Sequence, residues 1–143
     1  MELYKKEPTY QISYRYRRIL VPIDGSETSL MALEFALDMA IRYGSKIVVV
    51  YAYCEGDDRA LDEVRKKVKE RASKYNANVD VKPLVYDPLN SSAASVIVKE
   101  ALEGGYDAVV MGARGKSSNE DLLLGSVALS VVTHVPSTII LVR

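Results

Sequence analysis

Two apolar runs in this chain have no polar side. Ile19, Leu20, Val21 and Ile23 follow one another with Pro22 near the end, and Ile47, Val48, Val49 and Val50 form a second run. Segments of strand length that offer no alternate residue to water suit a parallel sheet covered by helices on both faces. Between them, Leu30, Leu33, Leu37, Ala40 and Ile41 recur at helical spacing, with Ser26 or Ser29 as N-cap and Gly44 as the C-terminal stop. Strand, helix and strand make a βαβ unit, whose crossover is right-handed in nearly all cases.

The same alternation continues. From Asp57 to Tyr75, Leu61, Val64, Val68, Ala72 and Tyr75 predict an amphipathic helix, with Asp62/Lys66 and Glu63/Lys67 placed as i,i+4 pairs on its outer face. Asn78 to Val85 alternates as a strand, but Pro83 lacks a ladder donor and assigns it to a sheet edge. Ser91 or Ser92 then opens a helix carrying Ala94, Ile97, Val98 and Ala101, which Gly104 and Gly105 stop. Ala108 to Met111 is the fourth strand, Leu122 to Thr133 the last predicted helix with His134 capping its end, and Thr138 to Val142 the final strand. Five strands and four helices imply an α/β fold, a three-layer open parallel sheet with helices on both faces. Strand order 3-2-1-4-5 puts Pro83 on an edge and sets the turn after strand one beside the loop after strand four. That is the topological switch point, where ligands bind in open α/β sheets.

The chemistry concentrates after strand four. Val109, Val110 and Met111 break into Gly112, Ala113, Arg114 and Gly115, and Gly125 and Ser126 follow at the front of an apolar segment. Glycine lets a ligand approach the main chain, and helix N-termini offer N–H groups to anions. The P-loop pattern fails because Val110 stands where its first glycine belongs, and the dinucleotide G-x-G-x-x-G is absent. The pattern present is G-x-x-G-x(9)-G-[ST], through Gly112, Gly115, Gly125 and Ser126.

In these residues the chain resembles the ATP-binding branch of the universal stress protein family. Val21 to Ser26 (VPIDGS) is similar to that family's first strand and turn, Leu123 to Val127 (LLGSV) to the front of its last helix, and the resemblance spans about Tyr16 to Arg143. It implies a Rossmann-like fold of the adenine nucleotide alpha hydrolase type, and a pocket for ATP, AMP or ADP with Mg or Mn. It also implies a homodimer paired through the last strand. Pro22, Asp24, Ala52 and Met111 would line the adenine and ribose end, and Gly112, Arg114, Gly115, Gly125, Ser126 and Val127 would hold ribose and phosphates. Asp24 has a second reading as a cap of the helix that follows. The chain departs from the family in a loop made more acidic by Asn119 to Asp121 (NED), in a Glu55 to Arg59 segment too short for a lid, and in Pro136 as the only proline before the last strand.

Composition narrows the classes further. Nineteen Lys and Arg against nineteen Asp and Glu cancel, so no overall charge favours nucleic acid or a membrane surface. The apolar runs are too short to span a bilayer. A lone cysteine, Cys54, forms no internal disulfide, and with no signal-like segment at the start the expected compartment is the cytoplasm. The expected organisation is an arm over residues 1–15, rich in Tyr4, Tyr10 and Tyr14, and a single domain over 16–143. Two functional classes follow: a nucleotide-binding regulatory or stress-response module acting through a protein partner that the sequence does not name, or a slow ATPase or nucleotidyl-transfer enzyme. The binding module is favoured, since the predicted pocket holds no P-loop lysine, no histidine, and no base other than Asp24.

Overall fold

A computed structural model describes residues 16–114 and 125–143; the arm over 1–15, Gly115 and the segment 119–121 lie outside them. The strands are β1 (Arg18–Ile23), β2 (Lys46–Cys54), β3 (Asn78–Tyr86), β4 (Ala108–Gly112) and β5 (Thr138–Val142), and the helices are α1 (Glu27–Tyr43), α2 (Asp58–Ala72), α3 (Ala93–Glu103) and α4 (Ser126–His134). All five strands run parallel in the order β3-β2-β1-β4-β5, as the sequence predicts.

The registers explain the two unbroken apolar runs. Ile19 pairs with Ile47 and Val21 with Val49, so the odd-numbered side chains of β1 and β2 face one way, and Leu20, Val48 and Val50 face the other. The first face packs against α1 and α2 through Leu33, Leu37, Val64 and Val68. The second packs against α3 and α4 through Ile97, Ala101, Ala128 and Val131. At about 25 cal/mol per Å² of apolar surface removed from water, this two-sided burial is the main source of stability. β3 is the edge that Pro83 requires, and its side chains alternate between exposed and half-buried along most of its length.

Local signals set the helix ends. Ser26, with extended backbone, caps α1 by accepting the Ser29 N–H at 3.2 Å, and Gly44 ends it at φ 71°. Ser92 and Ser95 form a reciprocal capping box at the start of α3. Three expectations are corrected. Ile41, assigned to the apolar stripe of α1, is 52 % exposed, because its position falls toward the solvent margin of the helix. The described last helix begins at Ser126, with Gly125 extended (φ −70°, ψ 166°) as its N-cap, and residues 122–124 of the expected helix lie outside the described residues. The i,i+4 pairs on α2 do not close among the described residues. Instead Lys67 Nζ donates to the Gly25 carbonyl at 3.4 Å, and Arg71 reaches across to α1, pairing with Glu34 and, at 3.1 Å, with Glu27. Those contacts tie α2 to α1 where an internal pair would have tied it only to itself.

At the amino-terminal end of the sheet, the Tyr106 hydroxyl donates to Glu100 Oε2 at 2.7 Å, Lys82 Nζ sits 2.9 Å from Glu100 Oε1, and the Arg18 guanidinium stacks 4.9 Å above the ring. Burial, reinforced by the bond to Glu100, pushes the Tyr106 phenol up to about 12. An unfolded tyrosine ionises near pH 10. Between those values the unfolded chain loses a proton that the folded chain keeps, so stability is full below pH 10 and falls as pH rises toward 12. Tyr106→Phe is expected to make that alkaline decline shallower in urea-unfolding curves measured from pH 9 to 12; an unchanged slope would contradict the assignment.

Candidate functional site

Where β1 and β4 lie side by side, their following segments part. One leads through Asp24 into α1 on the first face, the other through the glycine stretch into α4 on the second. The crevice between them, about 160 Å³, is lined by nine of the ten expected residues: Pro22, Asp24, Ala52, Met111, Gly112, Arg114, Gly125, Ser126 and Val127. The tenth, Gly115, lies outside the described residues. Sequence reasoning missed Ile23, Ser29, Ala93, Ile97 and Ala128, which also line it. Ala93 and Ile97 arrive from α3, which packing alone brings over the crevice; Ser29 carried a signal, but only as a helix cap.

Each side is held by its own local chemistry. On the β1 side, Gly25 takes φ 85°, a conformation that favours glycine and lets the chain reverse within the turn. Asp24 Oδ1 accepts the Ser26 N–H at 2.9 Å, so the carboxylate braces the turn as well as lining the crevice. The cap of α1 is Ser26, so Asp24 braces the turn before the helix and does not cap the helix itself. The Asp24 and Asp57 carboxylates also add to burial, the larger cause, in raising the Tyr51 phenol above its ordinary value.

On the β4 side, Gly112 is required by close packing. A Cβ there would stand 2.9 Å from Thr28 Cγ2 and 3.3 Å from the Thr28 backbone carbon, so α1 could not sit so near the strand end. Ala113 N–H donates to the Val142 carbonyl at 2.8 Å, extending the β5 ladder by one step. The Gly125 N–H then donates to the Ala113 carbonyl at 2.7 Å. The glycine stretch thus leaves and returns at the same point. Because the N-cap residue of α4 is glycine, it has no side chain of its own to cap that helix, and the first-turn residues Ser126, Val127 and Ala128 help to form the wall of the crevice.

The lining is mainly apolar near Pro22, Ile23, Ala52, Ile97 and Met111, and polar at Asp24, Ser29, Arg114 and Ser126. Such a surface can take a flat apolar group at one end, hydroxyls at Asp24, and an anion at the α4 N-terminus and Arg114. Among the described residues no three His, Cys, Asp or Glu side chains stand together as a metal site.

Comparison with known proteins agrees with this geometry. Residues 15–143 match the Universal stress protein family. The chain belongs to that family. A universal stress protein of Thermus aquaticus is 31 % identical over 138 residues, covering 90 % of this chain and 99 % of its own. Among solved structures, the universal stress protein UspA from Lactobacillus plantarum superposes with TM-score 0.78 at 23 % identity, covering 90 % of this chain and 99 % of its own. A universal stress protein in complex with cAMP superposes at 0.72 with 26 % identity, covering 90 % and 97 %. No described helix of this universal stress protein is long and apolar enough to cross a membrane.

Proposed function

We propose that this protein binds an adenine nucleotide, ATP, ADP or AMP, in the crevice between β1 and β4, and acts as a regulatory module in a cytoplasmic stress response through an unidentified protein partner. The observation that carries the reading is the start of α4. A glycine N-cap tied to Ala113 opens the helix with no capping side chain of its own, beside an apolar slot sized for a small ligand. The cAMP complex of the relative supports the ligand class.

In this reading Pro22, Ala52 and Met111 contact the base, and Asp24 accepts from ribose. Gly112, Arg114, Gly125, Ser126 and Val127, with Gly115, surround the phosphates. A Mg or Mn ion would be carried on the phosphate oxygens and would neutralise part of their charge. Binding is favoured over turnover because Asp24 and Arg114 are the only charged side chains among the described lining, and one Asp24 oxygen is already engaged by Ser26. Slow hydrolysis or nucleotidyl transfer is the alternative that the same pocket would serve.

Two variants test the phosphate end. Gly125→Val puts a branched side chain at the mouth of the α4 N-terminus. With Gly125 at φ −70°, the change adds no left-handed strain, so its effect should fall on the ligand more than on the fold. Hydrogen bonds to charged groups contribute about 1.5–3 kcal/mol each. Losing two implies roughly hundred-fold weaker binding or more at about 1.4 kcal/mol per decade. Ser126→Ala removes one and should cost about ten- to hundred-fold by the same conversion. Titration calorimetry with ATP and magnesium is expected to rank wild type, Ser126→Ala and Gly125→Val in that order; equal affinities, or no wild-type binding at millimolar ATP, would overturn the reading.

Assembly belongs to the same proposal. β5 is a sheet edge whose Ile139, Ile140, Leu141 and Val142 are all only half-buried. α1, which packs on β5, exposes Phe35, and α4, whose Ala128 and Val131 pack in one cluster with Ile139 and Leu141, exposes Leu129 and Val132. An open ladder flanked by apolar surface favours strand pairing with a second copy. Sedimentation at micromolar concentration is expected to give a dimer, and a monomer would contradict the pairing.

A further inference from the structure

Ser29 is one of two buried polar residues among those described, 5 % exposed, and it lines the crevice. Its N–H donates to Ser26 Oγ at 3.2 Å, which is the α1 cap. The cap does not account for its hydroxyl. Ser29 Oγ donates to the Ser26 carbonyl at 2.9 Å and accepts the Asp24 N–H at 3.4 Å, the longest of these contacts. Ser26 N–H in turn donates to Asp24 Oδ1 at 2.9 Å. The bonds close a ring, from Asp24 carboxylate to Ser26 backbone, to Ser29 hydroxyl, to Asp24 backbone. The ring spans Gly25, whose φ of 85° leaves the turn without a side chain of its own to stiffen it.

We propose that Ser29 is a positioning residue of the crevice: its hydroxyl holds both ends of the Asp24–Ser26 turn and so fixes the direction in which the Asp24 carboxylate meets the nucleoside. This rests on reading the crevice as a nucleotide site. Removing the hydroxyl takes away its bonds to the Asp24 N–H and to the Ser26 carbonyl, which keeps only the Leu30 N–H at 3.1 Å, so nothing from Ser29 ties the two ends of the turn together. The carboxylate keeps its chemistry and loses its fixed aim. A misaimed acceptor forms its hydrogen bond to ribose at an angle that weakens it steeply. The effect should therefore fall on the nucleoside end alone, and only while Asp24 carries a carboxylate.

A double-mutant cycle separates this from a merely structural role. Adenosine, AMP and ATP are titrated into wild type, Ser29→Ala, Asp24→Asn and the double variant, with thermal melts on all four. Ser29→Ala is expected to weaken all three ligands by the same factor, about ten-fold, the loss of one ordinary hydrogen bond. In the Asp24→Asn background the same change should cost less than about three-fold, since the geometry it protects no longer matters. Should Ser29→Ala fail to fold, Ser29→Cys keeps the volume with a weak donor and takes its place. Equal losses in both backgrounds, no loss in wild type, or a loss confined to ATP would overturn the proposal. Absence of wild-type binding to any of the three would overturn the nucleotide reading itself, and this inference with it.

Discussion

Burial of β1 and β4 on both faces is the constraint from which the rest of the architecture follows. Neither strand has a side that tolerates water: Ile19, Leu20, Val21, Val109 and Val110 are all fully buried. Two layers of helix are needed to cover them, and the chain supplies those layers by leaving β1 toward one face and β4 toward the other. A crevice at their carboxyl ends is then unavoidable. The apolar core thus decides where a ligand can enter before any residue of the site is considered.

The residues at that crevice answer to two demands at once. Asp24 braces a turn and lines the cavity. Gly112 makes room for α1 and opens the glycine stretch. Gly125 closes the stretch on Ala113 and gives α4 an N-cap without a side chain. Glycine in place of a capping side chain costs roughly a few tenths of a kcal/mol, and it leaves the first-turn N–H groups without a cap from that position, a feature that an anion can use. Ser92 and Ser95, by contrast, cap α3 in full although it begins at the same crevice. The proposed anion end at α4 rests on that difference between the two helix starts.

Much of this was legible in the sequence because the signals are local or periodic. The strand order followed from Pro83 on an edge and two apolar runs in the centre, and nine of the ten expected site residues line one cavity because they sit at strand ends or in the glycine pattern. What escaped depends on tertiary packing. Ala93 and Ile97 reach the crevice only because α3 leans over it, and nothing in their spacing distinguishes that from ordinary core. The sequence does not mark the break before Ser126, since Leu122 to Leu124 are as apolar as the helix that follows, and only the extended Gly125 reveals it. Arg71 was legible as a charge, but its partners Glu27 and Glu34 lie on another helix, at a separation no i,i+4 rule addresses.

The central claim is that one end of this sheet, and not the other, carries the ligand. Amide chemical shifts recorded while AMP is titrated into isotopically labelled protein test it residue by residue. The account predicts that the shifts concentrate at Asp24, Ala52, Gly112, Arg114 and Gly125 to Val127, with Arg18, Lys46 and Tyr106 at the opposite end unmoved. Shifts centred on that opposite end, or none at millimolar AMP, would contradict it.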